Sequence, residues 1–208
     1  MAGRKERQQH WQQVYSQKQA TEVSWYQDRP VLSLQLIMDS VCEQAAVIDV
    51  GGGASKLVDY LIEAGFRDLT VLDIAQAALS QARQRLGDKA ARVHWIEADI
   101  TRWRPERQYE VWHDRAVFHF LTDPDDRAAY RAALMAAVKP GGSVIIATFS
   151  PQGPQQCSGL PVVRYSPQAL NEELGGAFSL LDSFTEEHHT PTGFLQHFQF
   201  SRLRRSGL

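Results

Sequence analysis

The chain has 208 residues and a formal net charge of −2, with 43% hydrophobic and 22% charged residues. This length is sufficient for one α/β domain with a full core, and the composition is ordinary for a globular protein. A charge so close to zero gives no electrostatic reason to expect a nucleic-acid or anionic-membrane partner, and we predict neither.

Cysteine usage and the N-terminal composition bear on the cellular setting. Cys42 and Cys157 lie far apart, with no partner at metal-ligand spacing, which favours a reducing compartment and predicts no metal site. The first 15 residues lack the apolar segment of a secretory signal, and no apolar run reaches membrane-spanning length. We therefore expect a cytoplasmic protein without a membrane partner.

Helix and strand patterns alternate along the chain. Helices are predicted over residues 5–18, 31–41, 57–65, 75–87, 130–138 and 166–174. Strands are predicted over residues 47–50, 69–72, 93–96, 109–113, 144–149, 178–186 and 195–203. Pro140 to Gly142 is expected to end the fifth helix. The alternation predicts an α/β fold that finishes in a β-hairpin, with no second domain and no internal repeat.

The stretch VIDVGGGAS, Val47 to Ser55, is the most informative part of the sequence. An apolar strand carrying an acid runs into three glycines and a helix start, and glycines let the backbone approach a ligand closely. The next strand ends in Asp73, and the strand after it leads to Asp99. Since parallel sheets bind ligands at the carboxyl ends of their strands, this pattern predicts a nucleotide-type cofactor site. The third glycine of the dinucleotide-binding fingerprint is missing, which argues against a dehydrogenase.

Residues 40 to 203 resemble the class I S-adenosylmethionine (SAM)-dependent methyltransferases. The family's first motif, an acid followed by G-x-G-x-G, corresponds to Asp49, Gly51 and Gly53, with Ser55 in place of the last glycine. The resemblance implies SAM as the cofactor and a single Rossmann-like domain. Its sheet is expected to have seven mostly parallel strands, a terminal antiparallel hairpin and helices on both faces.

The same resemblance implies roles for individual residues. Asp73 would bind both ribose hydroxyls and Asp99 the adenine amine. The predicted cofactor-binding set is Trp25, Tyr26, Asp49, Gly51, Gly52, Gly53, Asp73, Ile74, Asp99, Ile100 and His113. Asp49 could instead fix the glycine loop through backbone amides. Trp25 either faces the sulfonium, as aromatic rings suit a cation, or covers the core.

The single domain, residues 1–208, is expected to have three parts. Residues 1–40 form an N-terminal helical cap, residues 41–150 the SAM-binding core, and residues 151–208 an acceptor-side loop with the terminal hairpin. The loop is rich in glycine and proline, and a long loop over the sheet end is usually functional.

The segment from Glu110 to Tyr130 carries the acceptor-side resemblances. It resembles the D-R-(G/A) segment of thiopurine S-methyltransferase-like enzymes, and it is similar to the D-K-G segment of protein lysine methyltransferases that include citrate synthase lysine methyltransferase. The predicted acceptor-side residues are Asp114, Arg115, Arg164, Tyr165 and His188. His188 or the adjacent His189 is either a general base or an exposed turn residue.

Three functions remain open from the sequence. The first is methyl transfer to a small molecule, with thiols among the candidates, and it requires a closed pocket beneath residues 151–165. The second is methyl transfer to a protein lysine, which requires an open channel. The third is a non-catalytic SAM- or nucleotide-binding module, in which side chains would occlude the methyl position.

Overall fold

A computed structural model describes residues 2–207 and shows helices and strands alternating along the chain. The helices are α1 (Ala2–Gln17), α2 (Val31–Met38), α3 (Leu57–Glu63), α4 (Gln76–Leu86), α5 (Pro124–Ala137) and α6 (Pro167–Leu174). The strands are β1 (Ala46–Val50), β2 (Asp68–Asp73), β3 (Val93–Glu97), β4 (Tyr109–Arg115), β5 (Val138–Phe149), β6 (Gln156–Cys157), β7 (Leu160–Pro161), β8 (Phe178–His189) and β9 (Leu195–Arg205). Every predicted helix and strand has a counterpart in this series.

Seven of the strands form one sheet in the order β3-β2-β1-β4-β5-β9-β8. The first five strands run parallel to one another, whereas β9 runs antiparallel to both β5 and β8. The prediction of a mostly parallel seven-stranded sheet with a terminal antiparallel hairpin is therefore confirmed. The short strands β6 and β7 pair separately as a small antiparallel hairpin.

Helices cover both faces of the sheet, as predicted. Successive residues of β1 point to opposite faces, so Val47 packs with α2, α3 and α4, and Ile48 packs with α5 and α6. Both side chains are fully buried. A third apolar cluster centred on Tyr15 joins α1 to the loop before α2 and to the start of α4. This third cluster places the N-terminal helix at one end of the sheet.

Local capping explains several helix boundaries. Ser166 accepts a hydrogen bond from the backbone N–H of Ala169 at 3.2 Å, so α6 begins where the Ser-Pro pair predicts. Gly87 ends α4 with a positive φ of 55°. One prediction was wrong in detail: α5 ends at Ala137, and the segment from Pro140 to Gly142 lies in β5, where the pairing with β4 shifts register.

Among the helices of residues 2–207, none combines the length and the apolar character needed to cross a membrane.

Candidate active site

The carboxyl ends of β1 to β4 meet at one edge of the sheet and surround two adjoining cavities. The first cavity lies between the glycine loop, the ends of β2 and β3, and α1. Its lining includes Arg7, Trp11, Gly51, Asp73, Ile74, Asp99, Ile100, Val117, Phe120 and Cys157. The second cavity lies on the other side of the glycine loop, and its lining includes Tyr26, Ser33, Asp49, Gly52 and His113. Both cavities share the side chains or backbone of Tyr15, Trp25, Gly51 and Arg115.

The glycine loop packs directly against the acids of the site. Gly51 has a φ of 70°, and a Cβ there would lie 2.0 Å from Val117 Cγ2. A Cβ on Gly52 would lie 2.3 Å from Asp49 Oδ2, and one on Gly53 would lie 2.5 Å from Asp73 Oδ2. Each glycine therefore leaves space for a neighbouring side chain of this chain, as well as for any ligand.

Asp73 lies at the end of β2 with its carboxyl group buried in the first cavity. Its Oδ1 accepts a hydrogen bond from the backbone N–H of Ala75 at 2.8 Å. Burial, and to a smaller extent the charge of Asp49, raise the pKa of Asp73 to about 7. A ligand that donates hydrogen bonds to this carboxylate would favour its charged form.

Asp99 follows β3 and lines the same cavity. Its Oδ1 accepts hydrogen bonds from the backbone N–H and the hydroxyl of Thr101, at 2.9 and 2.8 Å. Arg7 of α1 comes within 3.9 Å of Asp99 and forms an ion pair with Asp126. The first cavity therefore brings two carboxylates together with the apolar side chains of Ile74 and Ile100, an arrangement that suits a nucleoside.

Asp49, His113 and Ser33 form a hydrogen-bonded chain at the second cavity. His113 Nδ1 lies 2.7 Å from Asp49 Oδ1, and His113 Nε2 lies 2.9 Å from Ser33 Oγ. All three side chains are buried. The partner of the Asp49 carboxylate is thus an imidazole, rather than the loop amides considered from the sequence.

Aromatic side chains form the wall between α1 and the sheet. Trp25 packs edge-on against Trp11 with ring centroids 5.5 Å apart, and its indole N–H donates to the Tyr15 hydroxyl at 3.1 Å. Trp11 also contacts Phe120 at 5.0 Å. Trp25 therefore both lines the cavities and packs in the core, which joins the two roles considered for it. The Tyr26 hydroxyl donates to Asp28 at 3.0 Å, at the outer side of the second cavity.

Arg115, the last residue of β4, lies where the two cavities meet. Its guanidinium donates to the backbone carbonyl of Trp25 at 3.0 Å and to Glu186 at 3.2 Å. It also lies 4.2 Å from the ring centroid of Phe198. Burial lowers the pKa of Arg115, although Glu186 partly offsets that effect. This residue connects the N-terminal segment to the terminal hairpin.

The segment from Ser150 to Tyr165 covers the first cavity through Cys157. The Cys157 side chain is buried and lines the cavity, and burial raises the pKa of its thiol to about 11. Arg164, which is exposed, donates to the backbone carbonyls of Pro151 and Gly153. The predicted acceptor-side loop thus covers the cavity, and the exposed Arg164 stabilises it through these two hydrogen bonds.

The five residues predicted for the acceptor side do not all lie at the cavities, and Asp114 and Tyr165 correct that prediction. Asp114 is fully buried, and its carboxylate accepts from the backbone N–H groups of Val117 and Phe118 and from the Tyr130 hydroxyl. Burial raises the pKa of Asp114 to about 6. The ring of Tyr165 packs 5.4 Å from that of Phe118, within the layer of α5 and α6. Alternating strand residues face opposite sides of the sheet, so the side chain of Asp114 turns away from the cavities that Arg115 lines.

His188 and His189 lie at the outer end of the terminal hairpin. His188 is buried, and its Nε2 lies 2.7 Å from the backbone carbonyl oxygen of Ser24. Burial lowers the pKa of His188. His189 is exposed, and the two histidines line an open groove with Tyr26 and Arg29. Of the five predicted acceptor-side residues, Arg115 is the one whose side chain borders both cavities.

Sequence reasoning did not include several lining residues in the site. These are Arg7, Trp11, Tyr15, Ser33 and Phe120. Trp11 and Tyr15 share a helix face at a spacing of four residues, which was a usable signal for a helix covering a site. Ser33 carried no such signal, because its role depends on which helix face meets β4.

Comparison with known proteins agrees with this geometry. Residues 47–142 match the family described as "Methyltransferase domain". This region of the chain is therefore similar to a methyltransferase domain. The match spans β1 to the start of β5, and so includes the glycine loop and both cavity acids.

The curated relatives that the chain matches are named for different kinds of substrate. The eEF1A lysine and N-terminal methyltransferase of Mus musculus is 23% identical over 119 residues, which are 56% of this chain and 17% of that protein. The malonyl-(acyl-carrier protein) O-methyltransferase of Anoxybacillus flavithermus is 31% identical over 104 residues, which are 50% of this chain and 38% of that protein. The chain therefore spans well under half of the length of these relatives.

Among solved structures, the N-methyltransferase NodS from Bradyrhizobium japonicum WM9, in complex with S-adenosyl-l-homocysteine, superposes with a TM-score of 0.71. The match covers 93% of this chain and 97% of NodS at 18% sequence identity. At that identity the likeness demonstrates a shared fold over nearly the whole chain.

Proposed function

We propose that this protein is a methyltransferase that binds SAM in the two joined cavities and transfers its methyl group to a small-molecule nucleophile. One observation carries the proposal: the glycine loop, Asp73 and Asp99 border a cavity that α1 and Cys157 cover. A covered cavity of this kind suits a small acceptor better than a protein side chain presented from outside.

The residues of the first cavity fit the adenosine part of SAM. The Asp73 carboxylate can accept hydrogen bonds from both hydroxyls of a cis-diol, and such bonds are stronger because one partner is charged. Asp99 can accept from an exocyclic amine, while Ile74 and Ile100 offer apolar contacts to a base. Gly51 to Gly53 and Ile74 would then surround the sugar.

The residues of the second cavity fit the amino-acid part of SAM. Asp49 offers a carboxylate to its ammonium group, and Gly52 lies beside that carboxylate. Trp25 and Tyr15 border both cavities and offer aromatic surfaces to the sulfonium. SAM would supply the electrophilic methyl group, and these residues would hold it in position.

The acceptor side of the site has no free general base among the residues described above. Both ring nitrogens of His113 are engaged, and the thiol of Cys157 is protonated at neutral pH because its pKa is raised to about 11. Methyl transfer would then depend mainly on alignment of the reactants. A thiol, with a pKa near 8.5, needs little deprotonation help and is a favoured acceptor.

The predicted acceptor-side residues take different parts in this proposal. Arg115 would contact the acceptor or the cofactor where the cavities meet, and it would hold the Trp25 loop in place. Arg164 would act on the covering loop, whereas Asp114 and Tyr165 would support the fold beneath it. His188 would hold the N-terminal segment through Ser24.

The experiment incubates the protein with methyl-labelled SAM and panels of thiols, amines, carboxylates and cell lysate. We expect label in small molecules, and much less label with Asp73→Asn, while the exposed Asp88→Asn serves as the matched control. Label on one protein band, with none on small molecules, would favour lysine methylation. Binding of SAM without any transfer would favour a non-catalytic module, and an absence of binding would contradict the proposed cofactor.

A further inference from the structure

We propose that Ser33 and His113 are positioning residues that fix the Asp49 carboxylate as a receptor for the cofactor's ammonium group. The inference rests on the proposed function, because it concerns the same cofactor. It assigns to the imidazole a role that acts through another residue, in place of the direct cofactor contact predicted from the sequence.

Strand pairing brings the two central groups together. Asp49 of β1 is the direct register partner of His113 of β4, so the two side chains stand on the same face of adjacent strands. Ser33 approaches from α2, which packs on that face. The resulting distances are 2.7 Å from imidazole to carboxylate and 2.9 Å from imidazole to hydroxyl.

The imidazole has no nitrogen left for a ligand. An ionised carboxylate only accepts hydrogen bonds, so His113 Nδ1 carries the proton and donates it to Asp49 Oδ1. Its Nε2 is engaged with the Ser33 hydroxyl. His113 can therefore influence the cofactor only through the orientation of Asp49.

The second oxygen of Asp49 lies next to the glycine loop. A Cβ on Gly52 would come within 2.3 Å of Oδ2, so the loop and this oxygen are in close contact. Asp49 also lines the second cavity. With Oδ1 held by His113, Oδ2 is the oxygen available to a cation that enters this cavity.

The charge balance of the site favours a cationic group at this position. Asp49 and Asp73 are both buried, and the charge of Asp49 contributes to the raised pKa of Asp73. A positively charged ammonium beside Asp49 would relieve this repulsion. A carboxylate already held in one orientation also loses little freedom when it binds, which increases its contribution to affinity.

The test compares two ligands that differ in the amino-acid part. S-adenosylhomocysteine carries the ammonium group, while 5′-methylthioadenosine has the same adenosine and thioether but lacks it. The measured quantity is the ratio of their affinities by calorimetric titration. In His113→Gln the side-chain amide should replace Nε2 beside Ser33, so the hydrogen bond to Asp49 is lost. We expect the ratio to fall by about 10-fold or more, as for loss of a charged hydrogen bond.

Two further variants separate positioning from general damage. His113→Asn can place its amide N–H near the position of Nδ1, so it should recover most of the ratio. Ser33→Ala should lower the ratio by a smaller factor of about 2 to 10, because a single neutral hydrogen bond is lost. Unchanged binding of 5′-methylthioadenosine would demonstrate that the site is still folded.

One result would overturn this assignment while leaving the proposed function intact. It is an affinity ratio that stays at the wild-type value in both His113→Gln and Ser33→Ala, whether the two ligands bind as before or weaken equally. If the wild-type protein binds neither ligand, the proposed function itself fails, and the positioning role fails with it.

Discussion

Replacing Asp73 by asparagine should stabilise the ligand-free protein at high pH and weaken its binding of adenosine ligands. The Asp73 carboxyl is buried, and its pKa is raised from 3.8 to about 7. The folded state therefore holds a proton that the unfolded chain releases between pH 4 and pH 7. Stability falls as pH rises through this window, and the full cost is present above pH 7.

The size of the effect follows from these two pKa values. We take a pKa of 3.8 for the unfolded chain and about 7 for the folded protein. Relative to a group that never ionises, the carboxyl then lowers the unfolding free energy by about 1.7 kcal/mol at pH 5 and about 4 kcal/mol at pH 8. Asparagine does not titrate. The stabilisation by Asp73→Asn should therefore be larger at pH 8 than at pH 5 by about 2–3 kcal/mol.

Urea unfolding of both proteins at pH 5 and pH 8 measures this difference. Changes in hydrogen bonding caused by the amide itself are the same at both pH values, so they cancel. A difference below about 0.5 kcal/mol between the two pH values would refute the reasoning, because Asp73 would then titrate normally. In parallel, wild-type affinity for S-adenosylhomocysteine should fall as pH drops below about 7, and Asp73→Asn should bind it about 10-fold more weakly or worse at pH 8.

Three further predictions concern the glycine loop, a buried acid and the cysteines. Gly51→Ala should abolish S-adenosylhomocysteine binding and should destabilise the fold more than Gly141→Ala does. Gly141 has a similar positive φ but open space for a Cβ, so Gly141→Ala should cost only about 1–2 kcal/mol in urea unfolding. Asp114→Ala should lower the unfolding free energy by about 3 kcal/mol, since it leaves buried donors unpaired, and an unchanged melting temperature would contradict its role in the fold. A maleimide should modify the exposed Cys42 about 100-fold faster than Cys157, whose thiol pKa is raised to about 11. Mass spectrometry of digests measures both rates, and faster modification of Cys157 would contradict the prediction.

The cofactor side of the fold was predictable because its signals are local in sequence. Three successive glycines and acids at strand ends are constrained by backbone geometry, so Gly51, Asp73 and Asp99 meet at one edge of the sheet. Helix boundaries followed capping chemistry, as at Ser166. These features depend on nearest neighbours along the chain and on strand order, which alternation specifies.

The acceptor side was not predictable to the same extent, because it depends on which face a side chain takes. Asp114 and Arg115 are adjacent in β4, yet one side chain lies beneath the α5 layer and the other borders the cavities. Because both residues stand at the end of the same predicted strand, the sequence predicted both for the acceptor side. Tyr165 and Ser33 present the same difficulty, since Tyr165 packs on Phe118 and Ser33 contacts His113 of β4, and both neighbours are distant in the chain.

Under the proposed function, the position of α1 would affect the rate of product release. This helix is fastened by Gln81, which donates to the carbonyls of Tyr15 and Lys18, by Gln12, which accepts from the Ala77 N–H, and by the ion pair of Arg7 with Asp126. Under the proposed function, breaking some of these contacts would ease the release of a nucleoside bound beneath this helix. The residence time of S-adenosylhomocysteine, which remains after SAM has lost its methyl group, would then depend on the opening of the N-terminal helix. Turnover would be limited by the release of this product rather than by the chemical step.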